Sequence, residues 1–195
     1  MSTALGGRDK AGGTFSTAVG WANNAGGLDA FAAGNKSVAS GVSTVAVGDV
    51  AQATGDLSLA IGAVATASGA NSGAIGAAAL AAGDSSMAQG QNSVASGLQS
   101  TADGFNTLAN GSMSTALGGR SKAGGTFSTA VGWADNASGV DSFAAGNKSV
   151  ASGVSTAAVG DAAQATGDLS VAIGAGATAT AANSVALGAG SVASD

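Results

Sequence analysis

Ser58-Leu59-Ala60-Ile61-Gly62 sets the register for the whole chain, because copies of it recur from one end to the other. Steps of fourteen residues back give Thr44-Val45-Ala46-Val47-Gly48, Ala30-Phe31-Ala32-Ala33-Gly34, Ser16-Thr17-Ala18-Val19-Gly20 and Ser2-Thr3-Ala4-Leu5-Gly6. Steps forward run through Ser72-Gly73-Ala74-Ile75-Gly76 to Ser184-Val185-Ala186-Leu187-Gly188. A weaker copy lies midway between successive ones, as in Ala53-Thr54-Gly55 and Ala67-Ser68-Gly69. Ala-x-Gly therefore returns every seven residues. Ala keeps its slot from Ala4 to Ala193, and Gly gives way only at Ala181 and Asp195. A period this strict is the mark of a repeat architecture.

The spacing excludes a coiled coil. Ala and Gly stand two apart rather than three and four apart, and Gly in every heptad costs a helix about 1 kcal/mol each time. A spacing of two belongs to strands. Each half-repeat is expected to hold a strand of about five residues and a turn of about two. In the first strand, Ser58, Ala60 and Gly62 share one face, and Leu59 and Ile61 take the other.

Two sheet arrangements are compatible with that pattern, and the outward rows separate them. The row of Ile61 reads Leu5, Val19, Ala33, Val47, Ile61, Ile75, then Leu117, Val131, Ala145, Val159, Ile173 and Leu187. The matching row of the second strand reads Gly12, Gly26, Ser40, Thr54, Ser68, Ala82, Ser96 and Asn110. An antiparallel meander interleaves these rows on one face. A solenoid whose strands pair in parallel fourteen residues apart keeps them on separate sheets, so the fold class is an all-β parallel roll of fourteen-residue coils. With coils about 4.8 Å apart, the rod is expected to reach roughly 65 Å. The Gly that ends each strand suits a turn with positive φ, and the Ser that opens it suits a hydrogen bond to the turn backbone.

Ala and Gly from the two sheets fill the inside, so the sheets are expected to lie close together and the apolar row to point outward. Soluble monomers rarely leave such a stripe in water. Burying each large side chain is worth about 1.5–3 kcal/mol. Leu5, Val19, Val47, Leu59, Ile61, Ile75, Leu117, Val131, Val159, Val171, Ile173 and Leu187 are therefore expected to form a subunit interface in a closed cyclic assembly.

Composition narrows the function. With 34 Gly, 4 % aromatics and 9 % charged residues, the chain has few side chains for a thick core. Its net charge is −5, carried by Asp alone, which disfavours a nucleic-acid partner. No apolar run approaches the roughly 18 residues of a membrane span, so no membrane contact is expected of this stretch. Without His or Cys the commonest acid–base, nucleophilic and zinc-binding groups are missing. The Asp residues stand singly and show no paired-carboxylate spacing. Neither catalysis, nor a cofactor, nor a metal site is expected. Met113 occupies the place of Met1 in its own copy, so the sequence reads as a piece of a longer array.

The copies Ser93-Val94-Ala95-Ser96-Gly97, Ser170-Val171-Ala172-Ile173-Gly174 and Ser184-Val185-Ala186-Leu187-Gly188 resemble the head repeats of YadA-type trimeric autotransporter adhesins, the haemagglutinin-like repeats. The resemblance covers essentially the whole chain. It implies a left-handed parallel β-roll and a homotrimer on the outer surface of a Gram-negative bacterium. It also implies attachment to a host extracellular-matrix protein or to a cell-surface glycan or receptor. The stalk and membrane anchor of such adhesins have no counterpart in these residues. A passive spacer, with binding done elsewhere on the fibre, is the alternative.

Within this single repeat domain, residues 1–62 recur almost verbatim at 113–174, an offset of eight whole coils. All six cations fall inside the duplication. Arg8, Lys10, Trp21 and Lys36, with Arg120, Lys122, Trp133 and Lys148, form a candidate basic-aromatic ligand patch in each copy. Arg8 and Lys36 take the same turn position two coils apart, about 10 Å. The competing reading is solubilising charge with cation–π packing on the turns. In the irregular segment 85–111, Gln89 and Asp103 replace Ile or Leu in the interface row. Converging side chains there suit a water or cation; alternatively the chains splay locally and the row is wet.

Overall fold

The computed structural model describes residues 1–195. The chain divides into two compact units, Met1–Gln99 and Ser100–Asp195. In the first, the strands Thr3–Gly7, Thr17–Trp21, Phe31–Asn35, Val45–Asp49, Leu59–Ile61, Gly73–Ile75 and Met87–Gln89 pair in parallel in one sheet. The intervening short strands, Lys10–Ala11 through Val94–Ala95, make a second parallel sheet. The second unit has two parallel sheets of the same kind, one from Thr101–Asp103 to Val185–Leu187 and one from Leu108–Ala109 to Val192–Ala193. Neighbours are one coil apart, so Ala4 pairs with Ala18 and Val47 with Ile61. No helix is present that is long and apolar enough to cross a membrane. The parallel solenoid expected from the periodicity is the fold.

Alanine columns occupy the space between the sheets. Ala18, Ala60, Ala116 and Ala172 are 0 % exposed, as are nearly all their equivalents. Serine and threonine share the interior, contrary to the expected Ala and Gly lining. Ser16, Thr44, Ser72 and Ser142 are buried and donate from their hydroxyls to the carbonyls of Gly13, Gly41, Gly69 and Gly139. This bond, three residues back, ties the entrance of each long strand to the turn before it.

The short strands are two residues long rather than five. After Ala11 the backbone turns at once, because Gly12 and Gly13 both donate to the carbonyl of Ala25 in the next coil. Gly13 is fixed by close approach: a Cβ there would stand 1.8 Å from the carbonyl oxygen of Gly27. The glycine of the long-strand motif has the expected positive φ, +130° at Gly20, although here it lies one residue inside the strand Thr17–Trp21 and does not end it. The other positive-φ positions, Gly176 and Gly190 apart, are not glycine. Arg8, Phe15, Ala22, Asp29, Lys36 and Ser43 hold φ between 52° and 63°. The left-handed conformation costs such residues about 1 kcal/mol or more. From the second coil on, a hydrogen bond to the preceding coil offsets it: Ala22 N donates to Gly7 O, Asp29 N to Thr14 O and Lys36 N to Trp21 O, each at 2.8–2.9 Å.

Candidate functional site

The outward face of the long-strand sheet carries the apolar row. Val19, Val47, Leu59, Ile75, Leu117, Val159 and Val171 are half-buried within the single chain, and Leu5, Ile61, Val131, Ile173 and Leu187 are exposed. The parallel register sets Thr17, Phe31, Val45 and Leu59 side by side on the same face, so exposed Phe31 and its counterpart Phe143 widen it. Gln89 and Asp103 are exposed where they interrupt the row. The second sheet is less polar outside than its Gly12-to-Asn110 row suggests. The neighbouring row contains Val38, Leu80, Val94 and Leu108 beside Lys10, Asn24 and Gln52.

Along the turn edge, the long strand runs five residues in only four coils of each unit. These are Thr3–Gly7, Thr17–Trp21, Phe31–Asn35 and Val45–Asp49, and then Thr115–Gly119, Thr129–Trp133, Phe143–Asn147 and Ala157–Asp161. The other long strands stop after three residues. The two extra residues continue the ladder, so Gly7 pairs with Trp21, Trp21 with Asn35 and Asn35 with Asp49. Gly119, Trp133, Asn147 and Asp161 repeat the row. Gly7, Trp21, Asn35 and Asp49 thus form a row in the ladder where the coil at Gly62 makes a tight turn closed by Ala65 N to Gly62 O.

The Trp21 indole occupies the space beside Gly7. A Cβ on Gly7 would meet Cζ3 of the indole at 2.3 Å, and Gly119 stands in the same relation to Trp133. The guanidinium carbon of Arg8 is 5.5 Å from the Trp21 ring centroid, and Arg120 is at the same distance from Trp133. Cation–π attraction at such a site contributes about 0.5–1 kcal/mol. Next in the row, the Asn35 amide donates to Asp49 Oδ1 at 2.7 Å, and Asn147 donates to Asp161 at 2.6 Å. Lys36 and Lys148 are exposed on the following turn. The structure therefore gathers Arg8, Trp21 and Lys36 on one edge, with Asn35 and Asp49 added. Lys10 and Lys122 stand apart from it, on the short strands of the second sheet.

A buried polar column escaped the sequence reading altogether. Asn23 is 1 % exposed. Its amide donates to Asp9 Oδ1 and to the carbonyls of Val19 and Gly34, and its oxygen accepts from Ser37 N and Oγ. Polar residues beside turns read as solvent-facing in a sequence; only the coil-to-coil stacking turns this column inward.

Against known families, the YadA head domain repeat (2 copies) matches residues 25–51, 53–79, 81–107, 109–134, 137–163 and 165–191. The chain belongs to the YadA head family. Each match spans two fourteen-residue coils, and together they account for most of the sequence. YadA heads are associated with adhesion by bacterial surface fibres. Curated proteins give no match to the sequence. The YadA head fold is not one typical of enzymes.

Proposed function

We propose that three copies of this head, each a left-handed roll, associate through the outward face of the long-strand sheet and present the remaining surface to host cells or extracellular matrix. The carrying observation is the apolar face itself. Leu5, Val19, Val47, Leu59, Ile61 and Ile75, with Leu117, Val131, Val159, Val171, Ile173 and Leu187, are left half-buried or exposed by a single chain. Covering them stabilises an assembly by more than any surface charge does. Closed cyclic symmetry lets every copy cover its own stripe. The family supports both the assembly and an outer-membrane-anchored fibre as its setting.

Sedimentation equilibrium of the purified head tests the assembly. Trimers are expected, and the paired changes Ile61→Asp and Ile173→Asp are expected to release monomers. A well-folded wild-type monomer in dilute buffer removes the reading. Direct binding to collagen, fibronectin, laminin and glycans then separates an adhesive head from a passive spacer. The plain coils favour the spacer reading for their own stretch, since their turns offer small residues such as Ala63, Ala77 and Ala175.

A further inference from the structure

We infer that the Arg8–Trp21–Asn35–Lys36–Asp49 row, and its copy in the second unit, is a platform for an anionic oligosaccharide, a pyranose carrying a carboxylate or sulfate. The inference rests on reading the head as a ligand-presenting surface and names what that surface takes.

The coil itself does not need these side chains. Plain coils hold Ala63 and Ala77 at the position of Trp21 and make the same coil-to-coil bonds, Val64 N to Asp49 O and Ala78 N to Ala63 O, both at 2.8 Å. Trp21 remains 50 % exposed and Trp133 47 %, so neither indole serves mainly to fill a core. Both are nonetheless fixed, by the glycine beside the ring and by ladder pairing on both sides. A pre-positioned ring loses little conformational entropy when a ligand stacks on it.

Each group suits one part of a charged sugar. The half-exposed indole, shared with the Arg8 guanidinium 5.5 Å from its centroid, offers its remaining ring surface to the C–H face of a pyranose, whose polarised hydrogens meet the negative quadrupole. The Asn35–Asp49 pair uses one N–H and one carboxylate oxygen internally. The other amide N–H, the amide oxygen and Asp49 Oδ2 are left to bond vicinal hydroxyls. Arg8 and Lys36 flank the row two coils apart, about 10 Å, and supply charge-assisted bonds to the anionic substituent. The surface has no cleft. That suits a flat ring laid on a shelf better than a peptide helix or strand, which needs a groove or an open sheet edge.

The chain has only two Trp, Trp21 and Trp133, and no Tyr, so its indole fluorescence reports the two platforms alone. The experiment titrates the whole head with a heparin-derived sulfated hexasaccharide, with sialyllactose and with neutral maltohexaose. A saturable emission change is expected with at least one anionic sugar and none with maltohexaose; which one responds tells sulfate from carboxylate. Removing the four cations together (Arg8→Ala, Lys36→Ala, Arg120→Ala and Lys148→Ala) is expected to weaken that binding at least about tenfold. Asn35→Ala with Asn147→Ala, which changes no charge, is expected to weaken it about threefold or more. Loose electrostatic attraction would not respond to that second pair. Silence with both anionic sugars, or a response unchanged by the Asn pair, overturns the platform. Adhesion of wild-type protein to cultured cells, run alongside, keeps the two readings apart. Adhesion with silent fluorescence sinks the glycan platform alone, and saturable emission without adhesion sinks the adhesin reading alone.

Discussion

Residues 1–62 and 113–174 share a backbone and nearly a sequence, yet their buried polar columns are wired differently. In the first copy Asp9, Asn23 and Ser37 follow one another on successive coils; in the second the same places hold Ser121, Asp135 and Ser149. Asn23 is donor and acceptor at once, giving its amide to Asp9 and to two carbonyls. Asp135 only accepts, taking Ser149 N and Oγ on Oδ1 and Gly146 N on Oδ2. Ser121 meanwhile donates to Gly132 O, replacing the acid that Asp9 supplies in the first copy. The lesson is that the column changes as a set. An acid at the middle place comes with a hydroxyl below it, and an amide comes with an acid below it, so two carboxylates never stack.

The largest effect should be blind to that difference. Gly27→Ala and Gly139→Ala each put a methyl 1.9 Å from a carbonyl oxygen, of Gly41 and Gly153 respectively. Each is expected to cost about 4 kcal/mol or more, equally in the two copies, as measured by denaturant midpoints. Unequal losses would show that the copies differ in backbone as well as in side chains.

Next comes a change that should act in one copy only. Asn23→Asp places a second carboxylate where Asp9 Oδ1 now receives an amide at 3.1 Å, out of water. A loss of about 3 kcal/mol is expected, with most of it recovered by adding Asp9→Ser. The mirror change Asp135→Asn should stay within about 1 kcal/mol of wild type, because the first copy shows which carbonyls an amide finds there. Equal costs for the two changes would remove the idea of a coupled set.

Deleting the upper hydroxyl sharpens the contrast further. Ser149→Ala loses a bond to a carboxylate and should cost about 2 kcal/mol, against about 1 kcal/mol for Ser37→Ala, which loses one to an amide. The smallest effect concerns Val50, where the second copy has Ala162. Val50 holds φ of 57°, a costly place for a β-branched residue. Val50→Asn should raise stability by about 0.5 kcal/mol, and Ala162→Asn by less; thermal melts of the two variants measure the difference.

Much of this was legible because it depends on period alone. Ala at every seventh residue, with Leu59 and Ile61 set against Ala60, is enough to give parallel strands, a thin interior and an outward apolar row. Features set by contact between coils were not. The two-residue length of Lys10–Ala11 comes from two glycine N–H groups sharing Ala25 O, which no pattern announces. The left-handed turns at Leu57 and Phe127 defy propensity and persist through bonds to the coil before. The candidate platform was half visible. Arg8, Trp21 and Lys36 stand out as charge and aromatics, whereas Asn35 and Asp49 look like ordinary turn residues until the ladder sets them in line. The signal lay in the residue after the glycine of each long-strand motif: Gly7, Trp21, Asn35 and Asp49 in the duplicated block, and Ala63 and Ala77 outside it.

The eight-coil offset between the near-identical copies has a genetic consequence. Unequal crossing-over between such tracts would delete or add a segment that is in frame in the DNA and in phase in the protein, so every new junction would still set Ala beside Ala. Lineages of such a gene are free to vary the count of coils, and with it the number of Trp-bearing edges, while leaving each surviving turn chemically unchanged.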